Sequence, residues 1–148
     1  MRKLSLSKLA KELQTIVPKI EPQTEKIVLE SENLKEAKRN EFKLGERPDG
    51  SDIGEYRNKR YAIFKRQKNP LARGKVDLIL TGSFIKSIFT KKKSKNTYIF
   101  ESSDQKAQML FDKYGQDLKG LNEITAEEVE KDSIAKELKQ WIRKQLKI

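Results

Sequence analysis

Phe89-Thr90-Lys91-Lys92-Lys93-Ser94-Lys95-Asn96-Thr97-Tyr98-Ile99-Phe100-Glu101 decides the fold class. Its second half alternates, with Tyr98 and Phe100 on one side and Ile99 on the other, the two-residue period of a half-buried strand. Ser94-Lys95-Asn96 is a short polar interruption, so Phe89 to Lys93 and Thr97 to Glu101 pair as an antiparallel hairpin. Lys91, Lys92 and Lys93 suit an exposed edge or tip, where charge also blocks edge-to-edge aggregation.

Helical patterns follow the hairpin. Ser102 with Gln105 is a capping box, and Ala107, Leu110, Phe111 and Tyr114 share one face before Gly115, which predicts a helix over 104–114. Gly120-Leu121 marks a loop, and Thr125 with Glu128 forms a second capping box. The last helix, Ala126 to Lys147, places Val129, Ala135, Leu138, Trp141, Ile142 and Leu146 on one face, with Trp141 read as core.

Upstream, Val76 to Leu80 is a short β-rich run broken by Thr81-Gly82-Ser83, after which Phe84, Ile85 and Ile88 supply one helical turn of apolar contact. Gly45 to Asp52 is a polar turn: Pro48 presets φ, Asp49 bonds its own backbone, and Gly50 takes positive φ. Asp52 with Glu55 reads as an acidic capping box for a helix over Ile53 to Lys68, carrying Ile53, Tyr56, Arg60 and Phe64 along one side until Asn69-Pro70 ends it.

Residues 1–44 predict a helical N-terminal arm. Leu6, Leu9, Leu13 and Ile16 are one stripe of a short helix that Pro18 should end and Pro22 restart. Residues 21–44 are charge-rich, with sparse apolar positions at Ile27, Leu34 and Ala37, the pattern of a loosely packed surface helix. Met1 to Leu6 starts like a signal peptide but has no continuous apolar stretch, so it reads as the start of a helix in a protein that stays in the cytoplasm. No run approaches the about 18 apolar residues of a membrane span. The expected fold is α+β: a domain over 45–148 with a small antiparallel sheet, including the hairpin, packed by two or three helices, plus the arm.

The 148 residues contain no cysteine and no histidine. Disulfides, cysteine- or histidine-ligated zinc, and Ser-His-Asp or Cys-His catalysis are therefore excluded. No Gly-rich phosphate loop is present, and no cofactor or enzymatic activity is expected. The formal charge is +11, and it is unevenly spread. Between Arg57 and Lys95 there are 13 Lys/Arg against one acid, Asp77, while the rest of the chain holds 20 Lys/Arg against 21 acids. Such a segment favours a polyanion or an acidic neighbouring subunit. Its expected contact residues are Arg57, Lys59, Arg60, Lys65, Arg66, Lys91, Lys92, Lys93 and Lys95.

Tyr56, Tyr61 and Phe64 interleave with these cations, which opens a second reading as a stand-alone nucleic-acid-binding protein, although no helix-turn-helix, RNA-recognition or OB-fold signature is visible. A third reading is a metal-dependent nuclease. Pro48-Asp49 and Glu55-x-Arg57 are similar to the Pro-Asp…Glu-x-Lys pattern of such enzymes. The spacing is too short, however, arginine replaces the lysine, and turn chemistry with helix capping accounts for Asp49, Asp52 and Glu55.

Over about two-thirds of its length the chain resembles small tail-completion and virion-morphogenesis proteins of tailed bacteriophages and prophages. The matching residues are Asp77-Leu78, Thr81-Gly82-Ser83-Phe84-x-x-Ser87-Ile88, Tyr114-Gly115, and Gly120-Leu121 ahead of the last helix. Where many members carry a Pro-Ala-Arg-Phe-like element, this chain has Asp117-Leu118-Lys119-Gly120-Leu121. The resemblance implies a structural protein of the virion, present in the host cytoplasm during assembly, that acts at the head–tail connector or tail-completion position as a ring of copies. Its partners would be connector, portal or tail proteins, with packaged DNA as a further contact and no membrane. Asp77, Thr81, Gly82, Phe84, Tyr114 and Gly115 are then the motif residues.

Overall fold

The computed structural model describes residues 5–79 and 82–148. Leu80 of the expected strand, Thr81 of the Thr-Gly element and the first four residues lie outside them. The fold is α+β. Helices α1 (Leu6–Glu30), α2 (Glu32–Leu44), α3 (Lys59–Lys68) and the short α4 (Ser83–Lys86) precede a two-stranded antiparallel sheet, β1 (Ile88–Ser94) and β2 (Thr97–Ser102). Helix α5 (Ala107–Tyr114) follows, then α6 (Glu123–Val129), a π turn over Glu130–Ile134, and α7 (Ala135–Leu146).

The hairpin forms where its alternation places it. Thr90 pairs with Phe100 and Lys92 with Tyr98, and Asn96 takes positive φ in the turn, a conformation asparagine tolerates. Ile88, Thr90 and Phe100 face inward. Ile88 and Phe100 join a core drawn from the middle of the chain: Phe42 from α2, Ile53 and Val76 from the central loops, Phe84 from α4, Phe111 from α5, and Leu118. Phe84 sits at the centre, with its ring 5.7 Å from those of Phe42 and Phe111.

The N-terminal helices are docked on this core. Helix α1 lies against α7 and β1, and α2 against β1 and α6. Helix α1 also runs straight through Pro18 and Pro22, contrary to the expected break at Pro18. At 100° per residue both prolines lie opposite the buried Ile16 and Ile27, on the solvent side, where water can take the carbonyls that the missing N–H groups leave free. The break comes instead at Ser31, which leaves the helical conformation (ψ 111°) and caps α2 by accepting from the Leu34 N–H at 3.3 Å.

Three further expectations give way. Residues 53–58 are extended rather than helical: Ile53 N–H bonds Gly45 O at 2.9 Å, Val76 N–H bonds Gly54 O at 3.0 Å, and Asn58 is the true cap of α3. Val76 to Ile79 is not a strand, because the Asp77 carboxylate accepts from Ile79 N–H at 2.9 Å and Leu78 turns to φ +55°. The last helix starts at Glu123, capped by Asn122 rather than Thr125, and its π turn inserts a residue. That rotates the frame by about 100°, so Ile134 is buried and Ala135 exposed, while Trp141 is half-buried.

A cavity of about 480 Å³ lies between α1, the hairpin and the π turn, lined by Val28, Leu34, Thr90, Phe100, Leu121 and Ile134 among others. The buried Thr90 hydroxyl has no hydrogen-bond partner. A buried unpaired hydroxyl is destabilising, so Thr90→Val should raise stability by about 1 kcal/mol in urea denaturation. Phe42→Ala should lower it by about 3–5 kcal/mol if α2 is part of the core; a loss under about 1 kcal/mol would mean that the N-terminal helices unfold separately.

Candidate interaction surface

Helix α3 is inverted relative to an ordinary surface helix. Its only buried residue is Lys65, whereas Ile63 is 60% and Phe64 45% exposed. The cause is a buried ion pair. Lys65 Nζ lies 2.6 Å from Asp77 Oδ1, with side chains only 3% and 1% exposed, and it also donates to the Ile79 carbonyl. The second carboxylate oxygen of Asp77 accepts from Asn69 Nδ2 at 3.0 Å, and the same amide donates to Lys43 O at 2.7 Å. Burial beside Asp77 pushes the Tyr56 phenol well above its usual range. Lys65 therefore leaves the set of contact residues expected from sequence, because it anchors α3 from inside.

With Lys65 inward, helical spacing turns Arg60, Ile63, Phe64 and Gln67 outward as one stripe. Arg57, Lys59, Arg60 and Arg66 are exposed, and none is ion-paired among the described residues. Tyr56, Tyr61 and Phe64 form a chain of rings. The first two meet edge to face at 4.9 Å, the last two are tilted at 6.0 Å, and Lys68 Nζ sits 5.8 Å over Phe64. Leu71, just beyond the helix, is 61% exposed.

The hairpin lysines form a separate group. Lys91, Lys93 and Lys95 are exposed, but Lys92 reaches Glu25 of α1 at 2.6 Å, which fastens the hairpin to that helix. The belt read from sequence is thus divided between α3, anchored on residues 69–79, and a hairpin anchored on α1.

The motif residues sit elsewhere and shape the frame. Asp77 is the partner of Lys65, and Phe84 is core. Gly82 precedes α4 at φ +80°. Tyr114 carries the carbonyl that accepts from Arg47 Nη2 at 2.7 Å, while Arg47 Nη1 meets both oxygens of Asp117 at 2.9 Å. Gly115 has φ +120°, and a Cβ there would meet Asp117 Oδ1 at 2.2 Å, so the Arg47 clamp needs glycine at this position. Sequence reading missed Arg47, and also Glu41, which accepts from Lys38 Nζ at 2.6 Å and from Asn122 N–H at 2.7 Å. Burial pulls the Lys38 ammonium below the ordinary lysine range, against the opposing pull of Glu41.

The acids weighed for metal chemistry have local uses. Hydrogen bonds from Ser51 hold the Asp49 carboxyl below its usual range, and Asp52 is ion-paired with Lys75. Among the described residues no group of three or more acids is placed to hold a metal ion, and no helix is long and apolar enough to cross a membrane. Compared with protein-family models, curated proteins and solved structures, the chain matches none.

Adjacent residues separate anchor from surface. Lys65→Met strands the Asp77 carboxylate and should cost about 3–5 kcal/mol. Arg66→Met should stay within about 0.5 kcal/mol. Equal effects in urea denaturation would remove the distinction.

Proposed function

We propose that this chain is a structural, non-catalytic assembly subunit of a tailed-phage or prophage virion. It acts at the head–tail connector or tail-completion position through contacts with its own copies and with connector, portal or tail proteins. The observation that carries this reading is α3: a helix anchored by a buried lysine that leaves Ile63 and Phe64 facing solvent among cations. Apolar side chains ringed by charge are the anatomy of a protein–protein contact, with an apolar centre and a polar rim. The Thr-Gly and Tyr-Gly motif resemblance supplies the virion context.

The unpaired cations beside Tyr56, Tyr61 and Phe64 favour a second reading, nucleic-acid binding. Base stacking needs free ring faces. Here the rings lean on one another and the Lys68 ammonium sits 5.8 Å over one face of Phe64, while Ile63 and Leu71 offer nothing to a phosphate.

Quantitative mass spectrometry of purified particles, with sedimentation of the isolated chain, tests the choice. The expected result is a fixed small copy number per particle and saturable self- or partner-assembly. A chain missing from particles, monomeric throughout, and binding DNA with an affinity that falls steeply with salt would replace the assembly role by the nucleic-acid one.

A further inference from the structure

We propose that the outward face of α3 docks onto α6 of a second copy of this chain, head to tail. The inference rests on the assembly reading and names the surface that completes it. On α3, Ile63 and Phe64 are exposed between Arg60 on the same stripe and Lys59 and Arg66 beside it. On α6, Ile124 is 69% exposed, and Glu127 and Glu128 follow it at three and four residues, on the same face. From Glu123 to Asp132 there are five acids and one base, Lys131. Of the acids nearest Ile124, only Glu127 has an ion pair among the described residues, a long one of 3.9 Å to Lys131. One chain therefore presents an apolar pair among cations and an apolar knob among carboxylates.

The two faces are complementary in both respects that a contact requires. Burying Ile63, Phe64 and Ile124 together supplies the apolar centre, and the surrounding charges are opposite in sign, which sets orientation and speeds encounter. DNA would satisfy the cations alone, and would leave Ile63 and the whole of α6 unexplained. Within a single chain the helices are held by different neighbours, α3 by residues 69–79 and α6 by α2. The contact uses two different patches, so it is heterologous and propagates from copy to copy, closing into a ring if the rotation allows.

Reciprocal charge reversal tests this with the full chain. One variant carries Lys59→Glu with Arg60→Glu, the other Glu127→Lys with Glu128→Lys. Each alone faces like against like and should weaken self-association at least ten-fold in sedimentation velocity. Mixed, every α3 meets an α6 of opposite sign, and assembly should return with alternating composition; that recovery also shows both variants to be folded. Wild-type mass distributions for the single variants, or no recovery on mixing, would overturn the docking faces while leaving the assembly role standing if the wild-type chain still assembles or occurs at fixed copy number in particles. DNA binding lost in Lys59→Glu/Arg60→Glu, from a chain that never self-associates, would overturn both.

Discussion

The fold turns on the Lys65–Asp77 pair. Removing two charges from water costs several kcal/mol per ion, and only close geometry with full hydrogen bonding offsets it. That condition is met here. Asp77 accepts from Lys65, Asn69 and the Ile79 N–H, and Asn69 passes the connection on to the end of α2 through Lys43 O. Three donors converge on one carboxylate, and Asn69 links it to α2. The direction in which α3 faces is consequently set by an ion pair and not by an apolar stripe. Moving Lys65 to the surface would require about half a turn of the helix, and would leave Asp77 buried without its cation.

A second group of polar clamps closes the molecule around its phenylalanines. Arg47 ties the 45–54 loop to the end of α5 through Tyr114 O and Asp117. Glu41 ties α2 to the start of α6 through Asn122, and Asn122 also donates to Pro48 O at 2.9 Å. Leu118, next in sequence to Asp117, is fully buried. Gly45 belongs to the same arrangement: at φ +71°, a Cβ would come within 2.7 Å of Val76 O, so only glycine lets α2 end this close to the 76–79 segment. A chain with modest apolar content thus reaches a closed core by using charged groups as interior fasteners, each one paired.

The hairpin was legible because its signals are local: period-two alternation and a polar turn. The end of helix α5 was legible because Gly115 closes a clear apolar face, but its start was not: Ser102 belongs to β2, and the helix begins at Ala107 without the expected Ser102–Gln105 capping box. The failures share one cause, contacts remote in sequence. Pro18 and Pro22 break helices in isolation, yet Ile16 and Ile27 hold α1 on the fold while the prolines face water. Val76 to Ile79 has strand composition, but the Asp77 side chain competes for the Ile79 N–H. The π turn moves Ile134 inward by adding a residue that no periodicity count includes. At the candidate surface, Arg57, Lys59, Arg60 and Arg66 could be named from the charge excess alone. Lys65 looked the same as they did, since nothing local distinguishes a lysine whose partner lies 12 positions away, and the outward aim of Ile63 and Phe64 follows only from that partner.

The energetic character of α3 gives its surface meaning. Lys59 and Arg60 occupy the first turn, where the helix dipole is already positive and cations are disfavoured by a few tenths of a kcal/mol each. Lys65, Arg66 and Lys68 suit the last turn, but they add like charge to the same ten residues. Two large apolar side chains face water beside them. The first-turn cations and the two exposed apolar side chains do nothing for an isolated monomer, and Arg60, Ile63 and Phe64 lie on the side of the helix away from Lys65, which is fixed. Unfavourable features scattered over a surface would indicate only a tolerant fold. Gathered on one rigid face, they are relieved together by a single partner that brings carboxylates and an apolar contact, so the monomer's local disadvantage becomes the driving force for association.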